Sequence, residues 1–479
     1  MYGERNHRKE TVGYSLMYTL LTLLLTAALV LSFLFVTSGV DKEKKLKYLR
    51  IAVIFYCVYG IARYFLTDAF DDEIAIGGVD LFGSFTRWGY YLGYVILPMA
   101  AFFERRVYRN IALCFTLPVA IVCAFGINSY LVYFLDPGTD GYLLPEALRI
   151  AIHIIELSLA MALPILISAV TGHRFRLRSK EDCKSLLMIV PMLLMVMPAY
   201  IPQSLVGYTT IDASMFGQLH LMWIAFLFIY PFIIYFAFRK RSAEVKHELI
   251  VFWSIAQVFH SMSVFIRGFK YSRIPLQLCC IAAFFYLAVS ITRSRKLFNF
   301  CYLANIVGAL VAIVLAEFSS EAFTFWNIHY VQEHTFVIVM PIIAIALGVF
   351  PRIEKTALKD TFKIFNIYFF ACFVIGVVIN LICGGYEVDY FYMLDYEIAL
   401  NYIPFATFTG LIEIPLGATS IYPILVLTIY VVYIAIFVLF YFFTRGIYRI
   451  IDKCRARGAR HNETAVAEPQ ETEAELINA

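Results

Sequence analysis

The chain has 479 residues, 61% of them hydrophobic and only 15% charged, with a formal net charge of +4. A soluble domain carries about 45–50% apolar and about 25% charged residues, so polar side chains here are too few to cover a water-facing surface. A soluble enzyme, a secreted disulfide scaffold and a disordered chain are thereby excluded, which leaves a polytopic membrane protein whose outside faces lipid.

A bilayer core of about 30 Å takes roughly 20 helical residues. Apolar runs of that length predict an all-α bundle of about thirteen transmembrane helices. They lie near 14–38, 48–68, 85–104, 109–134, 146–170, 184–207, 217–238, 246–267, 274–294, 297–317, 331–350, 361–384 and 420–447. Basic residues collect after the odd-numbered spans, as in Lys42 to Arg50, Arg105-Arg106, His173 to Lys180, Arg239-Lys240-Arg241 and Arg293 to Lys296. The alternate connections are acidic or neutral, as in Asp71-Asp72-Glu73 and Glu387 to Glu397. The positive-inside rule therefore predicts a multi-pass cell-membrane protein with its N-terminus outside and its C-terminus cytoplasmic. Arg5, Arg8 and Lys9, and the basic connection Arg267, Lys270, Arg273, run against that orientation.

Two stretches share a layout. Glu104-Arg105-Arg106 then Asn110 introduce the fourth span, as Arg293-Ser294-Arg295-Lys296 then Asn299 introduce the tenth. Glu156 precedes Leu163-Pro164-Ile165, as Glu333 precedes Met340-Pro341-Ile342. The expected organisation is a tip and extra first span over 1–45, a first six-span half over 46–241, a second over 242–450, and a cytoplasmic tail over 451–479. That tail is acidic and poor in aromatics beyond Asn462, which reads as disordered. The Glu-Pro register sets Leu157 opposite His334, and the register of the basic connections sets Tyr90 opposite Cys279, so chemistry is expected in the second half.

An ionisable group at mid-span costs about 2.5–3.5 kcal/mol, which makes each one a functional candidate. In the second half His260, Gln277, Cys279, Cys280, Glu317, His329, Glu333, His334 and Asn380 are expected to share one leaflet level, the outer one. A thiol and an imidazole at one depth suit nucleophilic acyl transfer through a thioester. Glu333 follows His329 by one helical turn, the better geometry for an imidazole–carboxylate pair than its neighbour His334. Each residue also has an ordinary reading: Cys279 as one of ten cysteines that pack as small hydrophobes, and the histidines and glutamates as interfacial groups.

Pro275-Leu276-Gln277-Leu278-Cys279 resembles the PLHLC motif of the YwaF family of bacterial integral membrane proteins. His334 stands where that family places its histidine, and Asn401-Tyr402 resembles its NY motif. The resemblance covers about 245–450 and implies kinship with a eukaryotic transmembrane acyltransferase that remodels ether phospholipids. Carried over, it implies Cys279 as acyl-accepting nucleophile and His334 as general base. The motif's histidine is Gln277 here, which cannot act as a base.

Three functions compete: a lipid acyltransferase or acyl hydrolase, a transporter or channel of two duplicated halves, and a non-catalytic membrane partner. No Walker loop, dinucleotide fingerprint, HExxH or GxSxG motif occurs, and no CxxC or Cys/His cluster has zinc spacing. No metal and no cofactor is expected. The expected partners are membrane lipids and not nucleic acid, since no basic patch interleaved with aromatics is present.

Overall fold

The computed structural model describes residues 7–66, 81–125, 145–175, 216–262, 270–314, 325–402, 407–417 and 419–477, and single residues 180, 192, 212, 214, 316 and 318. Within lipid every backbone polar group must find its partner inside the segment, so the apolar runs fold as helices. They are α1 (His7–Val36), α2 (Lys42–Leu66), α3 (Leu81–Phe102), α4 (Arg106–Phe125), α5 (Glu146–Thr171), α6 (Gln218–Phe238) and α7 (Ala243–Met262). After them come α8 (Leu278–Thr292), α9 (Arg295–Val314), α10 (Phe325–Ala346), α11 (Ala357–Cys383), α12 (Tyr396–Tyr402) and α13 (Pro423–Ile477). The protein is an all-α polytopic bundle. Among the described residues eight helices are long and apolar enough to cross a membrane. Helices α2, α3 and α7 also stand at expected spans, and α8 is a shorter apolar helix of 15 residues. The expected span at 184–207 lies outside the described residues apart from Met192.

Two features depart from the sequence expectation. A two-stranded antiparallel hairpin, β1 (Ile414–Leu416) with β2 (Thr419–Ile421), pairs Ile414 with Ile421 in the connection before α13. Helix α13 continues to Ile477, through the tail whose composition suggests disorder; the Ala, Glu, Gln and Arg found there are good helix formers.

The described chain divides into two compact units. The first comprises Met1–Phe298 and Gly308–Phe350. In it α5 packs against α1, α2 and α4, while α7 packs against α3, α8 and α10. Helix α7 is the core of this unit: fifteen of its residues, from Val245 to Met262, are buried, and all but Glu248, Ser254, Gln257, His260 and Ser261 are apolar. The second comprises Asn299–Val307 and Pro351–Ala479. Here Asn299 donates to Asp360 Oδ2 at 2.8 Å, Tyr430 donates to Asn366 at 2.7 Å, and Phe365 centres a ring cluster with Phe369, Phe391, Tyr433 and Phe437.

Helices α4 and α9 share an irregularity. Each has six α-helical residues, then a five-residue π turn, at Ala112–Thr116 and at Cys301–Asn305, then nine α-helical residues. A π turn inserts one residue into the ladder and is retained mainly where it re-aims side chains.

Candidate functional site

Helices α7, α8 and α10 bring most of the polar candidates of the first unit together. Helix α8 starts at Leu278 because Pro275 cannot donate a ladder bond and Gln277 takes an extended N-cap conformation, with φ −70° and ψ 151°. Cys279 and Cys280 therefore lie in the first turn, where the positive end of the helix stabilises negative charge on sulfur or on a carbonyl oxygen under attack. Their sulfurs are 3.7 Å apart, and both residues are half-buried.

The two thiols meet different bases. The Cys279 thiol interacts with the His334 imidazole. His334 is buried, and its Nδ1 donates to the carbonyl oxygen of Tyr330 at 2.7 Å on its own helix. That bond fixes the neutral tautomer and leaves Nε2 as the basic nitrogen. Tyr330 and Trp223 flank the ring, with centroids at 4.2 Å and 6.4 Å. The Trp223 indole N–H donates to Thr335 at 3.1 Å, which ties α6 to α10 beside the imidazole.

Cys280 donates instead to Glu333 Oε2 at 3.8 Å. The other carboxylate oxygen accepts from Ser261 at 3.1 Å, and His329 Nε2 stands 3.6 Å from Oε2 one turn away. His260 stacks on His329 with ring centroids 4.6 Å apart and has Nε2 3.4 Å from the His329 carbonyl oxygen. Glu333, His260 and His329 are all buried. Adjacent residues on a helix point about 100° apart, so Glu333 and His334 address different members of the thiol pair.

The remaining candidates fall elsewhere. Gln277 is the N-cap residue of α8, where its carbonyl oxygen accepts from Ile281 at 3.0 Å. Glu317 lies outside the described residues. Asn380 belongs to the second unit, where its amide closes the connection after α11. It donates to the Val388 carbonyl and accepts from the Glu387 and Val388 amides, each at 2.9 Å. Asn401 and Tyr402 end α12 in the second unit. Among the described residues no group of three His, Cys, Asp or Glu is placed to hold a metal ion.

Sequence reasoning misses Ser261, Thr335 and His220. Ser261 and Thr335 carry no signal without knowledge of which helix faces them. His220 does: it heads an apolar run as His334 does, but on a span expected to belong to the first half.

Residues 215–441 match the TMEM164 family. No curated protein and no solved structure matches the chain. The TMEM164 match takes in just under half of the chain, from the approach to α6 into α13, and so contains every residue of the thiol cluster. It starts earlier than the likeness read from the motifs and includes α6 with Trp223 and His220. The chain is a multi-pass membrane protein embedded in lipid, similar over that stretch to a transmembrane family.

Proposed function

We propose that the protein is a YwaF-like membrane acyltransferase or acyl hydrolase that carries the acyl group as a thioester on Cys279. The observation that supports this most is the Cys279 thiol set against an imidazole whose other nitrogen is already committed to Tyr330. His334 Nε2 takes the thiol proton, and the thiolate attacks an ester carbonyl. The C–O bond then breaks, and the departing alcohol leaves with the proton from His334. In the second half-reaction an alcohol or water gives its proton to His334 and attacks the thioester. Cys279 leaves as thiolate and recovers that proton.

Glu333, held by Ser261 and Cys280 and beside His329, supports the site as a hydrogen-bond acceptor for the neighbouring thiol. The site opens toward the outer leaflet of the plasma membrane in the orientation that loop charge favours, with the C-terminus cytoplasmic. The matching π turns of α4 and α9 favour two related six-span halves, of which the second carries the chemistry.

Incubation of the purified protein with mixed phospholipids, followed by intact-mass analysis, tests the reaction. An acyl-sized adduct removed by neutral hydroxylamine and absent from Cys279→Ser is expected. His334→Ala is expected to slow adduct formation by about 10²-fold or more. Full activity in both variants would refute the mechanism.

A further inference from the structure

His220 stands in the first turn of α6 and is completely buried. Its Nδ1 accepts the backbone N–H of Phe216 at 3.0 Å. A ring nitrogen that accepts a hydrogen bond cannot also carry the proton, so the proton is on Nε2 and the imidazole is neutral. Nε2–H is then a buried donor, and among the described residues no acceptor meets it. Leaving such a donor unmatched opposes folding, because its bond to water is lost and not replaced.

The chain accepts a second local cost at the same place. Phe216 adopts φ +62°, a left-handed conformation uncommon for a bulky residue. Gly217 follows because a Cβ there would lie 2.8 Å from the Asp212 carbonyl oxygen. This strained turn aims the Phe216 amide at Nδ1 and lays its ring flat on the imidazole, with centroids 5.2 Å apart. Phe318 and Trp223 enclose the ring on other sides, at 6.0 Å and 6.3 Å. Trp223 in turn contacts His334, so the donor lies one aromatic side chain from the thiol site.

We infer that His220 Nε2–H is a hydrogen-bond donor for an uncharged ester carbonyl of a membrane lipid, bound beside the Cys279–His334 pair. The identity of the ligand rests on the acyl-lipid reading above. Phe216, Trp223 and Phe318 offer an apolar wall and no counter-charge, so a phosphate oxygen would be desolvated without compensation, whereas a carbonyl needs only the one donor.

Native mass spectrometry of the full chain with diacyl or dialkyl phosphatidylcholine separates the two acceptors, because the dialkyl lipid keeps the phosphate and lacks ester carbonyls. The wild type should bind the diacyl lipid roughly tenfold more tightly, the weight of one buried hydrogen bond. His220→Phe should lose that preference, and His220→Gln, which keeps an N–H donor, should restore part of it. Equal binding of both lipids by the wild type, or a preference that survives in His220→Phe, would overturn the inference. So would a His220→Phe defect equal for both lipids, which would assign the donor to phosphate. If the ester preference is lost in His220→Phe while Cys279 forms no adduct, the carbonyl site stands and the thioester reading fails. An adduct on Cys279 without any ester preference gives the reverse.

Discussion

At the scale of single residues, Asp389 shows what burial does to a carboxyl in the connection after α11. It accepts from the Leu394 amide at 2.8 Å and the Asp395 amide at 3.1 Å, yet burial outweighs both and pushes its carboxyl up to about 6. A carboxyl raised in the folded state favours folding below its unfolded value near 3.8 and loses that contribution as pH rises through about 6. The rise is worth about 3 kcal/mol locally. Amide exchange over 385–395, corrected for intrinsic rate, should therefore quicken between pH 4 and pH 7. Asp389→Asn should flatten that dependence; an unchanged slope would place its origin in another group. The site residues were legible one by one, because ionisable types in apolar runs are conspicuous. Their pairing was not, except for His329 with Glu333, which a single helix fixes by its own period.

At the scale of elements, the start of α8 is set by what packs on it. An added Cβ at Gly308 of α9 would stand 3.3 Å from Leu278 Cβ, the residue just before Cys279. Gly308→Ala should move the first turn of α8 by a few tenths of an ångström and slow adduct formation on Cys279 roughly threefold to tenfold. The melting temperature should change little, since a helix-propensity gain of up to about 1 kcal/mol opposes the crowding. Adduct formation at the wild-type rate would mean that Leu278 yields without carrying Cys279. Most helices were legible from run length and hydropathy. The hairpin at 414–421 and the π turns were not, since three-residue strands and one inserted residue leave no hydropathy pattern.

At the scale of the whole molecule, the first unit joins helices from both expected halves of the sequence. Arg105, at the head of α4, donates to the buried Glu248 of α7 and to the exposed Glu244 at 3.2 Å, and the Tyr108 hydroxyl donates to Glu248 at 3.1 Å. Arg105→Gln strands a buried carboxylate and should cost about 3 kcal/mol in detergent unfolding, of which the double variant with Glu248→Gln should recover more than half. A double variant no better than the single would show that the charge pair is not what joins α4 to α7.

Composition and run length by themselves determined the membrane class and the helical fold, because lipid forces every spanning backbone to satisfy its hydrogen bonds internally. The same sequence placed Cys279, Glu333 and His334 at the ends of their spans. Only the tertiary structure decided that Cys279 meets His334 while Cys280 meets Glu333, and that His220 stands behind Trp223. The reason is physical: lipid-facing and helix-facing surfaces are equally apolar, so hydropathy fixes depth along a span but not which faces pack together.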